Sequence, residues 1–382
     1  MRKGNAENLP SGPNSTPSKF NFRNRARPIQ WILLAVFSAI LIFAGEVLQL
    51  PAAMLLGAML GAILMAAGES TLRVHRWLSL LAQGVVGCLI ARSITAEFFT
   101  SMGQHLPVIL LSVGYVLFTS TFIGYLLARF RILPGTTAVW GSSPGAATAM
   151  TLMAEAHGAD ARLVAFMQYL RVVLVATAAS LVLRLSTGVE TVAPVEIVWF
   201  PPIDWSTLGP TVLLIVGGSF LGEILRIPTG AMLVPLVLGA LLQDTGFITI
   251  DLPPWLLAVS YLLIGWRIGL GFSRAIIAHA ARAFPAVLTS TLLLIAVCGL
   301  FGMALGHVLG LDPLTAYLAT SPGGADTVAI IAASSNVDLP FIIAMQTSRF
   351  FIVLLAGPAI ARFIAARIDK RIMKRTFNTK SR

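Results

Sequence analysis

Apolar positions in this chain run in blocks instead of alternating or recurring on one face. The blocks fall at about residues 29–48, 52–68, 78–96, 106–128 and 161–185, and again at about 208–226, 229–243, 255–273, 285–310 and 339–365. Short polar or Gly/Pro-bearing stretches separate them. An α-helix needs roughly 20 residues at about 1.5 Å each to cross a bilayer's hydrocarbon layer, so blocks of this length predict transmembrane helices. Two further segments, about 134–157 and 312–335, are apolar but interrupted by Ser-Pro-Gly. Proline removes a backbone donor and glycine admits non-helical angles, so each predicts a helix broken near its middle.

The order of these blocks repeats. Ser143-Pro144-Gly145 recurs as Ser321-Pro322-Gly323, and the same spacing carries Asp160 to Asp338, Gln168 to Gln346 and Arg171 to Arg349. It also carries Gly87 to Gly265 and Pro107 to Pro285, while Gly45-Glu46 matches Gly222-Glu223 with a one-residue slip. The chain is therefore two tandem homologous units, 29–185 and 207–365, joined by 186–206 and flanked by polar tails 1–28 and 366–382. Spacing of this constancy across so many blocks is the signature of an internal duplication.

Composition agrees with a membrane protein: 57% of the 382 residues are hydrophobic and only 11% are charged, against about 25% charged in soluble domains. The mean hydropathy is +0.85. The net charge of +11 sits entirely in the tails, which hold 13 basic and two acidic residues; the body is neutral. Basic tails around a neutral apolar body predict cytoplasmic N- and C-termini of a membrane protein, with 1–28 disordered and the lipid bilayer as the main partner. No nucleic-acid-binding motif accompanies the charge. If each half crosses five times and its broken segment re-enters, arginine-bearing loops (Arg73, Arg76, Arg129, Arg131, Arg226, Arg274 and Arg282) share one side. The linker 186–206 then lies on the periplasmic side with the acidic loops. Five crossings per half invert the second half relative to the first, the inverted repeat of many secondary transporters. The expected fold is thus all-α and polytopic, with five spans plus one broken re-entrant segment per half.

Irregular backbone at membrane depth survives where it is buried in protein or lines a polar cavity. The half-helix after each Pro would aim its free N–H groups at the midplane, a site for an anionic group. The expected solute contacts are Ser143, Pro144 and Gly145 with Ser321, Gly323 and Gly324. Arg171 and Arg349 sit about ten residues into the last helix of each half, with Gln168 and Gln346 one turn earlier. A cation at that depth needs a partner or a wet site. These pairs either clamp an anion such as a carboxylate, through the planar guanidinium fork, or neutralise carbonyls at the end of a broken helix. Asp326 has Thr148 as its counterpart and is a candidate for Na⁺ or proton coupling or a helix cap. Asp160 and Asp338 precede helices and read as caps. Histidines are scattered, and neither a metal site nor a cofactor is called for; Cys88 and Cys298 lie in apolar blocks as packing residues.

The duplicated Gly-Glu-x-Leu segment, the string Ser321-Pro-Gly-Gly-Ala-Asp326 and the Gln-x-x-Arg helix resemble the AbrB-type bacterial inner-membrane family, which carries an internal duplication. The resemblance covers nearly all of the chain outside the tails. It implies two labels, an ammonia monooxygenase and a regulator of gene expression. A copper monooxygenase needs clustered imidazoles, which the spacing of the five histidines does not supply. Ala146 and Thr148 stand where the second half has Gly324 and Asp326, so the halves are not equivalent. The residues themselves point to a carrier for a small anionic solute, rather than an enzyme; a ligand sensor that affects gene expression would use the same pocket, and a homo-oligomer is compatible with either.

Overall fold

The computed structural model describes residues 22, 25–48, 53–92, 94, 103, 106–145, 147–187, 198–227, 229–323 and 337–380. Most of the expected N-terminal tail, residues 188–197 of the linker, and both Gly324 and Asp326 lie outside them. All elements among the described residues are helices. In the first half these are α1 (Arg27–Val47), α2 (Ala53–Ala67), α3 (Arg76–Ala91), α4 (Leu106–Arg129), α5 (Gly135–Ser142), α6 (Ala147–Ala156) and α7 (Ala161–Thr187). The second half gives α8 (Trp205–Ile224), α9 (Gly230–Asp244), α10 (Pro254–Leu270), α11 (Arg274–Leu309), α12 (Pro313–Thr320) and α13 (Leu339–Lys380).

Six of the described helices, α1, α4, α7, α8, α11 and α13, are long and apolar enough to cross a membrane. Helices α2, α3, α9 and α10 are shorter apolar helices of 15 to 17 residues. The chain is a multi-pass membrane protein. Two boundaries differ from the sequence pattern. Helix α11 starts at Arg274 and runs through Pro285, because Ser273 accepts the Ile276 N–H and starts the helix early. The backbone of α13 continues as helix to Lys380, through the expected tail.

The two halves interlock. Helix α1 packs antiparallel on α2, with Gly57 against Ile42 and Gly61 against Ser38; α8 and α9 do likewise through Gly218 on Pro235 and Gly222 on Gly230. The next contacts cross between halves. Helix α10 runs along α2 in the same direction, Gly265 over Leu55 and Gly269 over Met59 and Ala62. Helix α3 runs along α9 in the same way, Gly87 over Met232 and Gly239 over Ala91. A Cβ at Gly87 would stand 2.3 Å from the Met232 carbonyl oxygen, and one at its repeat partner Gly265 2.9 Å from that of Leu55. The duplicated glycines thus let two backbones touch in each of these crossed pairs.

Corresponding helices face each other head to tail. Arg267, near the end of α10, donates to Ser79 in the first turn of α3 at 2.6 Å. On α4 and α11, Tyr115 stacks on Phe301 at 4.1 Å between ring centroids, while Ile123 shares a cavity with Ser290 and Leu294. Position rises along one helix as it falls along the other.

The close-packed helix pairs divide into two bodies. One contains α1, α2, α3, α8, α9 and α10; the other contains α4 to α7 and α11 to α13. Between them the closest packing is α7 on α10, beside the ion pair Arg267–Glu155 at 2.9 Å and a bond from Arg162 to the Gly271 carbonyl at 2.8 Å.

Candidate functional site

The Ser-Pro-Gly segment of the first half enters and returns. Thr137, in the first turn of α5, accepts the N–H of Asp160 at 3.1 Å, so the chain comes back to the side from which it left. Trp140 of α5 lies 5.6 Å from His157, just past α6, and Thr148 at the start of α6 reaches Tyr169 two turns into α7. Helices α5 and α6 are therefore the arms of a hairpin with its tip at 143–145. In the second half Thr315 accepts the Asp338 N–H at the same 3.1 Å. Thr315 and Asp338 thus lie together, as Thr137 and Asp160 do; residues 324–336 between them lie outside the described residues. The break follows from local chemistry. Pro144 and Pro322 disfavour helical angles in the residue before them, and Ser143 and Ser321 are accordingly extended, at ψ 128° and 137°.

A hairpin tip leaves the last carbonyls of its first arm without helical partners, in a place without bulk water. Gln168 and Arg171 meet that need. Gln168 donates to the carbonyls of Trp140 at 2.8 Å and Ser143 at 3.0 Å. Arg171 Nη1 donates to Ser142 at 3.2 Å and Ser143 at 2.9 Å, and Nη2 reaches Gly145 at 3.5 Å. Nη2 also donates to Gln168 Oε1. The second half repeats the arrangement. Gln346 donates to Leu318 at 2.6 Å, and Arg349 to Ser321 at 2.5 Å and Gly323 at 2.7 Å, again with a bond from the arginine to the glutamine Oε1. Ser143 and Ser321 turn their hydroxyls back to Val139 and Leu318. So the structure joins Ser143, Gly145, Gln168 and Arg171 into one cluster, and Ser321, Gly323, Gln346 and Arg349 into its counterpart.

The guanidinium forks thus hold carbonyls of the broken helices, the second of the two roles open to them in the sequence. One donor on each remains. Arg171 Nε and Arg349 Nε are buried without a hydrogen-bond partner among the described residues. The two arginines are only 2% and 3% exposed and form no ion pair with a described carboxylate. Helix α6 starts at the first tip, so its positive N-terminus adds to this field. A cavity of about 10 Å³ adjoins Arg171, lined also by Ser142, Ser290, Thr291 and Ile123; it has room for about one water. Among the described residues no group of three His, Cys, Asp or Glu could hold a metal ion. Each cluster thus leaves one buried guanidinium N–H directed away from the carbonyls that the rest of the fork holds.

Several residues at the site carry no motif. Trp140 and Ser142 matter through carbonyls, which any residue supplies, and Ser290 and Thr291 arrive from α11. Thr137 and Thr315 were within reach, since they obey the same spacing as the Ser-Pro-Gly repeat. Asp160 and Asp338 do cap their helices, accepting the N–H of Arg162 and of Phe341 at 3.0 Å each. Glu223 pairs with Arg76.

Residues 54–365 match the family model described as transition state regulatory protein AbrB. The chain belongs to the AbrB family. It is 48% identical over 344 residues to "Putative regulator AbrB" of Escherichia coli strain K12, covering 90% of this chain and 99% of that protein. It is also 25% identical over 311 residues to "Uncharacterized protein YhjN" of Bacillus subtilis strain 168, covering 76% of this chain and 79% of that one. No solved structure matches. The match takes in both hairpin tips and both Gln-x-x-Arg pairs.

Proposed function

We propose that this AbrB-family protein is a carrier, not an enzyme, that moves a small anionic solute through a midplane site between two inverted repeats. One observation carries the reading: each half brings a buried Gln–Arg pair to the tip of a re-entrant segment, and each arginine keeps one N–H unpartnered. A buried cation is costly unless an anion joins it. The antiparallel approach of α3 to α10 and of α4 to α11 supports inversion of the halves. So does the pattern of arginine-bearing loops.

The α7–α10 contact seals the two bodies against each other on one side. Its repeat equivalent, α13 on α3, is not among the close-packed pairs. In an inverted repeat, exchanging these two contacts would turn the site from one side of the membrane to the other. A solute larger than one water requires the tips to part from α11 during that exchange. Asp326 is the residue to examine for Na⁺ or proton coupling.

The test is uptake into proteoliposomes of purified protein, after a screen of small carboxylates and inorganic anions by thermal shift with and without Na⁺. Saturable uptake of a stabilising anion is the expected result. The relative named as a regulator favours a second reading, a ligand sensor that affects gene expression. A stabilising anion that is bound but never accumulated would favour the sensor, and no anion response at all would remove both.

A further inference from the structure

The first tip keeps two donors that nothing takes up. A guanidinium only donates. The Nη hydrogens of Arg171 go to the carbonyls of Ser142, Ser143 and Gly145 and to Gln168 Oε1, which leaves Nε–H buried and unpartnered. The Ser142 hydroxyl is also buried without a hydrogen-bond partner among the described residues. Arg171 and Ser142, only 2% and 5% exposed, both line the cavity of about 10 Å³. The other hydroxyls on its wall are committed: Ser290 and Thr291 donate to the Val287 carbonyl at 2.9 and 2.8 Å.

Charge and size together say what fits. No described carboxylate pairs with Arg171, and a guanidinium does not shed its proton, so its charge stands uncompensated at membrane depth. A water would partner the two donors but bring no charge. The cavity has room for about one water, which excludes a carboxylate, sulfate or phosphate and admits a monoatomic ion. Met167 on its wall is unbranched and can give way to an ion slightly larger than water.

The second tip differs at the decisive position. The counterpart of Ser142 is Thr320, whose hydroxyl is used up on the Ala316 carbonyl at 2.9 Å and the Cys298 carbonyl at 3.3 Å. Arg349 Nε–H therefore has no free hydroxyl beside it at that position.

We propose that the first tip binds a resident chloride ion, which accepts from Arg171 Nε–H and the Ser142 hydroxyl and offsets the buried guanidinium charge. The ion belongs to the sealed tip, so this site goes beyond the carrier reading and would serve a sensor equally. Failure of solute uptake would leave it standing, and failure to bind chloride would leave uptake of a larger anion standing.

The test titrates sodium chloride against sodium gluconate at constant ionic strength, with purified full-length protein in detergent and the melting temperature as readout. Gluconate is too large for the cavity. The melting temperature should rise saturably with chloride. Ser142→Ala removes one of the two donors and should raise the half-saturating chloride concentration about tenfold. Ser142→Thr should lose the saturable response although it keeps a hydroxyl, because the threonine can turn to the Ala138 carbonyl as Thr320 does to Ala316. Its fold has a precedent, since Gly124 lies against Ser142 as Gly302 lies against Thr320. A wild-type melting temperature indifferent to chloride would overturn the ion and leave a water in its place. An undiminished titration in folded Ser142→Thr, or an unshifted one in Ser142→Ala, would overturn the site. Should Ser142→Thr fail to fold, Ser142→Ala decides.

Discussion

At the residue scale, the duplicated arginines hold backbone. Arg171 donates to three backbone carbonyls and Arg349 to two, each also to its glutamine Oε1, a geometry that lysine's single ammonium cannot reproduce. Arg171→Lys and Arg349→Lys should therefore lower the melting temperature despite conserving charge, at about 1–3 kcal/mol for each buried carbonyl left unpaired. Circular-dichroism melts in detergent check this; a wild-type midpoint in both variants would show that the tips stand without the fork. The same variants should lose any stabilisation by an anionic ligand, because the unpartnered Nε–H goes with the fork. Asp160 makes a separate prediction. Burial acts to raise its pKa, but the hydrogen bonds and charge of Arg162, with the N–H groups of Arg162 and Leu163, outweigh it and hold the carboxyl below the usual range. A depressed folded-state pKa stabilises the protein above the unfolded value of about 3.9 and loses that contribution as pH falls through the folded one. The acid limb of stability should accordingly be shallower in Asp160→Asn than in wild type.

At the element scale, the hairpins make a topological prediction. Residues on either side of a re-entrant segment share a side of the membrane, so Ile132→Cys and Gly158→Cys should react alike with an impermeant thiol reagent in a background lacking Cys88 and Cys298. Leu311→Cys and Val337→Cys should also react alike, on the opposite side if the repeats are inverted. All four labelling from one side would sink the inversion, and a split within either pair would mean that the segment crosses. Close helix contact makes another. Gly302, on α11, is so near α12 that a Cβ there would lie 2.3 Å from Thr320 Oγ1 and 2.9 Å from the Ala316 carbonyl oxygen. Gly302→Val should displace α12 and, with it, the Ser321 carbonyl that Arg349 holds; loss of stability larger than for Gly114→Val, where open space meets the new side chain, is the expected outcome.

At the scale of the whole molecule, two bodies joined through α7 and α10 suggest where motion is cheapest. The Glu155–Arg267 pair bridges them, and with side chains 47% and 35% exposed it contributes about 0–1 kcal/mol, weak enough to open in the exchange proposed above. A reducible bifunctional thiol crosslink between Glu155→Cys and Arg267→Cys, which spans the gap left by the two long side chains, should arrest solute uptake while leaving solute binding intact, with recovery on reduction. Undiminished uptake by the crosslinked protein would mean that the bodies do not separate there.

The amino-acid sequence alone indicated the membrane class, the position of most described helices and the Ser-Pro-Gly breaks. Each rests on short-range physics: apolar length sets a span, and Pro-Gly breaks a helix. Tertiary structure decided the rest. That the arginine forks hold carbonyls became visible only with the hairpin tip folded against α7, because Trp140 and Ser142 contribute backbone atoms that no side-chain pattern encodes. The crossed pairing of α2 with α10 and α3 with α9 likewise depends on backbones meeting at Gly87 and Gly265, between residues far apart in the chain. Spacing revealed that those glycines correspond, while only packing revealed what each of them touches.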